Sequence, residues 1–334
     1  MSPTTNFLRS QSVRLAVACI ECDAADVRRA ALVDRGVAAA CIAGLKHDTP
    51  ALAAFVVRAL RALVASSGQR GNGNERGLLR RLFDAHCVSQ HLVGLYSSPG
   101  ATEAGAAELR RDVHALLSAL LLSPSSPLQT ATPGAGGRGV VATALLKLQP
   151  RSDAEQRELL LATLARHPWA MNHFLSSFKF RLEPPSTKAG SDTTPLGYLH
   201  DVSLLVQTLG TAAATREAHA HLVAPPHGVG RTVLSRALQS DNALVRFASA
   251  AALIALLRLH RVLRATRGAA AARALDQSFL LRLPGLQVVI KAAKREQSAL
   301  SGGAAKAEVS ADGECIFNVR VTFLFANPAH NFSI

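Results

Sequence analysis

Four arginines in the last third of the chain stand three residues apart and carry groups that bind phosphate. They are Arg258, Arg261, Arg264 and Arg267. Residues 258–295 contain nine Lys and Arg against one acid, Asp276. A guanidinium presents a planar fork of donors that matches the oxygens of a phosphate group. We predict that these arginines, together with Lys291, Lys294 and Arg295, bind RNA or a partner, the alternative being an ordinary solvated helix face.

The surroundings of these cations indicate the kind of RNA contact to expect. Neither 258–267 nor 291–295, where these cations lie, contains a Phe, Trp or Tyr on which a base could stack. We therefore expect contact with the RNA backbone or with the shape of a duplex rather than with single bases. Binding of this kind weakens steeply with salt.

Other motifs with chemical potential are weaker. Cys19 and Cys22 have the spacing of a metal or redox pair, but no second pair accompanies them, which favours buried small residues. The glycine-rich stretch 134–139 lacks the Gly-Lys-Ser/Thr ending of a phosphate loop. No catalytic constellation is present, so we predict that the chain is not an enzyme. We also expect no cofactor, no bound metal and no small-molecule substrate.

The composition favours a folded, basic protein built from helices. The chain has 334 residues, a net charge of +14 and an isoelectric point near 10.6. Such a positive excess favours anionic partners. Hydrophobic residues make up 49% and aromatic residues 4%, which argues against bulk disorder and suits close packing of Ala, Leu and Val on helices. The five cysteines, an odd number, are expected to be reduced thiols of an intracellular protein.

One pattern recurs along the chain: a cap residue, an arginine and a long Ala/Leu helix. Copies of it lie at residues 25–45, 48–64 and 241–259. Helices of this kind cannot bury their apolar faces alone and must stack on similar neighbours. We therefore predict an all-α fold, an irregular α-solenoid of the armadillo or HEAT type made of stacked helix pairs. The alternative is an irregular all-α globule.

Turn and cap residues predict where helices begin and how the chain is divided. Thr49-Pro50 and Thr194-Pro195 read as a cap followed by proline in the first helical position, and Ser152 with Glu155 reads as a capping box. Asp241 is the expected cap of the third copy of the repeated pattern. The resulting division has N-terminal helical repeats at 1–123, a Gly/Pro/Ser-rich linker at 124–139, a second helical block with a basic end at 140–295, and an atypical, poorly ordered tail at 296–334.

The most apolar part of the repeated pattern bears on the question of a membrane. Ala250–Leu257 is apolar on all sides, which predicts burial between neighbours on both sides. It is much shorter than the roughly 20 apolar residues that cross a bilayer. We therefore expect no membrane association.

Five segments, taken in order, carry a family resemblance. The first two are SVRLAVACIECDAADVRRAALVDRGVAAACIAGLKHD at residues 12–48 and ALLKLQPRSDAEQRELLLATLARHPWAMNHFLSSFKFRLEP at 144–184. They are followed by YLHDVSLLVQTL, LSRALQSDNALVRFASAAALIALLRL and LPGLQVVIKAAK at 198–209, 234–259 and 283–294. Over residues 12–294 the chain resembles the N-terminal region of the nucleolar pre-ribosomal-associated protein family.

The resemblance implies a non-catalytic nucleolar scaffold, located in the nucleus, that acts in early assembly of the large ribosomal subunit and in ribosomal RNA maturation. Its implied partners are ribosome assembly factors and pre-ribosomal RNA. Members of the family are much longer than this chain, so the resemblance implies the N-terminal part of a longer protein. The alternative function is a generic armadillo-like adaptor that binds acidic protein segments and is unrelated to ribosomes.

Overall fold

The computed structural model describes residues 3–22, 24–34, 36–69, 73–98, 105–128, 135–183, 185, 194–211, 231–265, 269–281 and 283–304. These residues form helices, turns and loops, and no strand occurs among them. The predicted all-α class is therefore confirmed for this part of the chain, whereas stacking of helix pairs into a solenoid stays a prediction. Arg267, linker residues 129–134 and tail residues 305–334 lie outside the described residues.

Two compact units contain the described residues. The first lies within Met1–Phe178, with which Thr211–Ala213 is grouped, and the second lies within Lys179–Gly210 and Ala214–Ile334. The division between units falls after Phe178, which is some distance beyond the linker predicted at 124–139. The predicted four-part segmentation of the chain stays a prediction.

The first unit is an array of helices of unequal length. Its helices are α1 (Pro3–Glu21), α2 (Ala25–Arg29), α3 (Val37–Gly44), α4 (Pro50–Gln69), α5 (Gly73–Leu82), α6 (Val93–Tyr96), α7 (Ala106–Leu121), α8 (Ala135–Lys147), α9 (Ala154–Arg166) and α10 (Pro168–Ser177). A π-helical turn, Ala30–Asp34, follows α2, and a π-helical segment, Cys87–Leu92, leads into α6. Gly36 precedes α3 with a φ of 60°, a left-handed conformation that glycine adopts without strain.

The core of the first unit is centred on the packing of α4 against α7. Apolar side chains recur every three or four residues on both helices, which places them on one face. Those of α7 are Leu109, Val113, Leu116, Leu117, Leu120 and Leu121, all buried. Full burial of an aliphatic side chain of this size contributes about 1.5–3 kcal/mol, so this interface supplies much of the unit's stability.

Helix starts follow the predicted caps in two cases and shift by one residue in two others. The Thr49 hydroxyl accepts a hydrogen bond from the Leu52 N–H at 3.4 Å, and the Thr194 hydroxyl accepts from the Gly197 N–H at 3.0 Å, as predicted. The predicted capping box at Ser152 is wrong, because Asp153 caps α9. This aspartate lies in extended backbone, and its carboxylate accepts from the Gln156 N–H at 3.2 Å.

The last five residues of the linker predicted at 124–139 are helical. Residues 135–139 form the first turns of α8, and Leu128, just before the undescribed residues, is buried. A Cβ atom at Gly137 would collide with the backbone carbonyl oxygen of Leu128. Glycine therefore allows close approach of two backbone segments here.

A polar network joins α6, α7 and the start of α9. Arg110 forms ion pairs with Asp153 and with Glu155, the latter at 3.2 Å, and its guanidinium lies over the Tyr96 ring at 5.2 Å. The Tyr96 hydroxyl lies 2.7 Å from Nδ1 of His114. Burial is the main cause that raises the pKa of Tyr96, so the phenol stays protonated and contributes a hydrogen bond.

The second unit contains five described helices, the first of which begins at the predicted Thr194 cap. Its helices are α11 (Pro195–Leu209), α12 (Arg231–Leu238), α13 (Ala243–Ala265), α14 (Ala269–Leu280) and α15 (Leu286–Ala304). The helix α13 packs against α11 and α12, and α14 and α15 pack against α13 and α12 respectively. Residues 296–304, within the tail predicted to be poorly ordered, form the end of α15.

The fully buried residues of α13 are concentrated on one face, whereas the sequence predicts burial on both sides. Its buried residues are Val245, Arg246, Ala248, Ser249, Ala252, Leu253, Leu256 and Leu259. On the other side Leu257 is 43% exposed. All residues of Ala250–Leu257 except Leu257 are buried or partly buried, and α13 packs against α11, α12 and α14. The expected burial therefore holds on one face and is partial on the other.

One described helix, α13, is long and apolar enough to cross a membrane by length and composition. Its packing favours another interpretation. The buried Ser249 hydroxyl lies 2.9 Å from the Tyr198 hydroxyl of α11, and the buried Arg246 donates to two backbone carbonyls. We interpret α13 as a core helix of the second unit.

Two copies of the repeated pattern use their arginine in the same way. Arg28 donates two hydrogen bonds to the carbonyl of Cys22, six residues earlier, at 2.8 and 3.1 Å. Arg246 donates to the carbonyl of Ser240, again six residues earlier, at 2.9 Å. In both copies the guanidinium fixes the turn that precedes its helix. The copy at residues 48–64 differs, since Arg58 donates to the Ala54 carbonyl within its own helix.

Candidate nucleic-acid interface

Six of the seven predicted site residues lie on two helices of the second unit. Arg258, Arg261 and Arg264 lie on α13. Lys291, Lys294 and Arg295 lie on α15. The seventh, Arg267, is outside the described residues.

Arg258 and Arg261 lie on the side of α13 opposite its buried face. Both side chains are exposed, while Leu256 and Leu259 beside them in sequence are buried. At 100° per residue, positions 258 and 261 are about 60° apart on the helix and roughly 140–160° from the centre of the buried face. These two arginines therefore form an adjacent pair of outward cations.

Arg264 is held by the acid of the next helix. Its Nε lies 3.2 Å from Oδ2 of Asp276 on α14, and the other oxygen of that carboxylate lies 2.9 Å from Nε2 of His260. The His260 ring stacks on Phe279, with centroids 4.1 Å apart and an interplanar angle of 5°. Asp276 thus fixes α14 against the end of α13 and neutralises the charge of Arg264.

Arg295 is also paired, at the opposite end of α13. Its guanidinium lies 2.8 Å from Oδ1 of Asp241, and this hydrogen bond holds the pKa of that exposed carboxyl below its usual range. The next residue, Glu296, pairs with the buried Arg246. Asp241 was predicted to cap α13, but that role belongs to Asn242, whose side-chain oxygen accepts from the Leu244 N–H at 2.9 Å.

The predicted site is therefore two clusters rather than one patch. Arg295 is bonded at the beginning of α13, and Arg264 lies near its end. With a rise of 1.5 Å per residue, Ala243 and Arg264 are roughly 30 Å apart along the helix axis. A nucleic acid would have to extend over this distance to contact both clusters.

Lys291 and Lys294 complete the second cluster. Both are exposed, and no described side chain of α15 is fully buried. The helix is held mainly by partial burial of Val288, Val289 and Ala292 and by the pairs of Arg295 and Glu296. The lysines thus stand on a thinly packed helix, in contrast to the arginines of α13.

The sequence did not reveal which basic residues have internal partners. Asp276 was visible as the one acid in the basic stretch, and its position twelve residues after Arg264 allows the two to meet when α14 folds back on α13. Asp241 lies far from Arg295 in sequence, so no local signal connected them. The cations left available to a ligand among the described predicted residues are Arg258, Arg261, Lys291 and Lys294.

No group of three or more metal-binding side chains occurs within the described ranges. Cys19 and Cys22 are partly exposed free thiols, and Cys41 and Cys87 are buried free thiols. Burial raises the pKa of the Cys87 thiol to about 12, so it remains protonated and unreactive at neutral pH. The two-cysteine motif has no third ligand among these residues.

A family model described as Npa1, ribosome 60S biogenesis N-terminal, matches residues 3–189. This match spans more than half of the chain. The chain belongs to this family. Membership implies a role in biogenesis of the 60S ribosomal subunit, which agrees with the resemblance found in the sequence. No curated protein and no solved structure matched the chain.

The family match and the basic clusters occupy different parts of this 60S biogenesis protein. The matched residues 3–189 include α1 to α10 of the first unit. The basic residues of α13 and α15 all lie beyond residue 189.

Proposed function

We propose that this chain is a non-catalytic scaffold in 60S biogenesis that contacts pre-ribosomal RNA through the second unit. The outward pair Arg258 and Arg261 on α13 is the observation that carries the proposal. These two guanidinium groups lie beside each other on a helix whose opposite face is anchored in the core. A rigid backbone holds the pair in place for neighbouring phosphates, which reduces the entropy lost on binding.

The second cluster on α15 adds contacts without adding sequence specificity. Lys291 and Lys294 are exposed point charges on flexible stems, suited to phosphate rather than to base edges. The separation of roughly 30 Å along α13 favours an extended or folded RNA over a short single-stranded segment. In this proposal RNA maturation factors and other assembly factors bind elsewhere on the scaffold, and the protein resides in the nucleolus.

Anisotropy of labelled RNA tests the proposed surface. The probe is a fluorescent fragment of large-subunit ribosomal RNA titrated with the full chain at several salt concentrations. We expect the charge reversal R258E/R261E to weaken binding at least tenfold and to flatten the dependence on salt, because two phosphate contacts are lost. The charge reversal K291E/K294E is expected to weaken RNA binding less, since α15 is thinly packed and holds its lysines less rigidly.

The matched control reverses two exposed arginines of the first unit. Arg14 and Arg111 are exposed on α1 and α7, so R14E/R111E changes the net charge by the same amount. We expect this variant to retain most of its RNA affinity. Equal loss in the control and in R258E/R261E would mean that net charge, and not the surface of α13, determines binding, and would overturn the assignment.

A cellular experiment tests the location and the partners. The tagged chain is expected to stain the nucleolus and to crosslink to pre-ribosomal RNA together with assembly factors. Diffuse cytoplasmic staining with no ribosomal RNA in the crosslinked material would contradict the proposal.

A further inference from the structure

A cleft in the first unit combines apolar walls with a cationic rim. It has a volume of about 350 Å³, near the lower end of the range for ligand pockets. Its apolar walls come from the turn after α2, from α3 and from α5. They include the buried Leu32, Ile42 and Leu82 and the exposed Ala39 and Ala43, and the buried Cys87 of the π-helical segment adds to them.

Three groups that carry or can carry positive charge line the same cleft. Arg81 at the end of α5 and His86 are exposed, and His91 in the π-helical segment is partly buried. The two imidazole rings lie with centroids 5.0 Å apart in an edge-to-face arrangement. One acid, Asp84, also lines the cleft, but its carboxylate accepts a hydrogen bond from the Cys87 N–H at 2.7 Å.

The surroundings of His91 disfavour its protonation. Burial lowers the pKa of His91, and the nearby His86 and Lys46 lower it further, while Asp84 opposes them. The helix α8 also packs on this segment, but its Arg138 lies over Trp169. An anion in the cleft would oppose these effects and favour the protonated imidazole.

We propose that this cleft binds an acidic segment of a protein partner, with an apolar side chain in the cleft and carboxylates against Arg81, His86 and His91. Walls of Leu, Ile and Ala suit an aliphatic side chain and offer no hydrogen-bond partners to bases or ribose. The rim supplies the charge complementarity that orients an acidic peptide. The site belongs to the first unit and does not depend on RNA binding by α13.

The binding is expected to strengthen as the pH falls. In the free protein His91 is mostly neutral at pH 7.5, because its pKa is below the usual value. Bound carboxylates raise the pKa of His91, so the complex takes up protons and gains stability towards pH 6. Arg81 and Lys46 remain charged throughout this range, Cys87 remains neutral, and the peptide carboxylates remain ionised.

Peptide binding to the full chain tests the proposal. The probe is a fluorescein-labelled peptide in which Glu and Asp flank two leucines, and the comparison probe has serine in place of leucine. We expect the leucine peptide to bind at least fivefold tighter than the serine peptide, and severalfold tighter at pH 6.0 than at pH 7.5. R81E should weaken binding at least tenfold, and H86Q/H91Q should abolish the pH dependence while leaving the helical circular dichroism unchanged.

Two further variants separate the cleft from general charge. A39F places a ring at the exposed rim and is expected to block the leucine peptide, whereas R111E makes the same charge change as R81E on the exposed side of α7 and should bind normally. The proposal is overturned if the serine peptide binds equally well, or if R81E and R111E behave alike. It is also overturned if a single-stranded RNA of equal charge displaces the peptide and itself loses affinity in R81E, since the cleft would then be an RNA site.

Discussion

Two pairs of arginines, Arg9 and Arg110 in the first unit and Arg258 and Arg261 in the second, have opposite uses although they look alike in the sequence. In the first unit Arg110 covers Tyr96 and pairs with Asp153, and Arg9 forms two hydrogen bonds with the buried carboxylate of Asp48 at 3.0 and 3.1 Å. In the second unit Arg258 and Arg261 face solvent from the side of α13 opposite its core. Paired arginines fix helices, whereas outward arginines are available for a ligand. The difference depends on whether folding brings an acid into reach.

Arg246 is the most buried of the paired arginines described in the second unit, which also include Arg264 and Arg295, and carries the largest expected effect. It is 7% exposed, donates to the carbonyls of Ser240 and Asp241, and pairs with Glu296. Since R246A leaves these acceptors without their donor, we expect about 3 kcal/mol of destabilisation, measured by chemical unfolding. R261A, an exposed arginine on the same helix, is the control and should change stability by less than about 0.5 kcal/mol. Similar losses in both variants would show that Arg246 is not a fixed structural arginine.

Gly137 tests the close packing of the first unit. Because a Cβ atom there meets the Leu128 carbonyl oxygen, G137A forces the backbone to move. Overpacking of this kind lowers the free energy of unfolding by about 2 kcal/mol. Gly139, where a Cβ atom meets nothing within 4 Å, is the control, and G139A is expected to be neutral or stabilising since alanine favours helix. If G137A also raised the melting temperature, the contact with Leu128 would not limit this position.

Replacement of Arg110 tests whether a paired arginine stabilises the first unit. R110A removes two ion pairs and the cover over Tyr96, but the side chain is 35% exposed and solvent screens its pairs. We therefore expect about 1.5 kcal/mol of destabilisation, less than for Arg246. A double-mutant cycle with D153N measures the coupling between the two residues. A coupling near zero would contradict the role of this pair in joining α7 to α9.

His167 makes the stability of the first unit depend on pH. Its Nε2 lies 2.7 Å from the Leu121 carbonyl oxygen, and burial lowers its pKa from the ordinary value. Below pH 6.5 the unfolded chain therefore binds more protons at this site than the folded one, so stability is complete above pH 6.5 and falls as the pH falls. In H167Q the side-chain amide can still donate a hydrogen bond to the Leu121 carbonyl but does not titrate. Between pH 7.5 and 5.5 we therefore expect the free energy of unfolding of H167Q to fall by roughly 1 kcal/mol less than that of the native protein. Equal pH dependence in denaturant titrations would exclude His167 as the titrating group.

Asp276 determines whether Arg264 of the second unit is paired or available to RNA. D276N removes the acid that holds Arg264, so a third arginine joins Arg258 and Arg261. We expect RNA affinity to rise about threefold and the salt dependence to steepen, as one more phosphate contact forms. D26N, which neutralises an acid of α2 in the first unit, is the control. Unchanged RNA affinity in D276N would mean that RNA already displaces Asp276 from Arg264.

The sequence predicted helix type and several helix starts because these depend on neighbours along the chain. Thr49 and Thr194 each precede a proline, and a proline in the first helical position leaves few alternatives for the cap. Where two adjacent residues can both cap, the local signal is ambiguous. Ser152 competes with Asp153 and Asp241 with Asn242, and tertiary contacts of Arg110 and Arg295 with the aspartates accompany the choice.

The candidate site shows the same limit more strongly. The sequence alone identified the basic residues, their helical spacing and the family, because charge, periodicity and the order of segments are written along the chain. Only the tertiary structure separated paired Arg264 and Arg295 from outward Arg258 and Arg261, and only it assembled the cleft of Arg81, His86 and His91. Partners of this kind come from different helices, so their meeting depends on packing that no local pattern specifies.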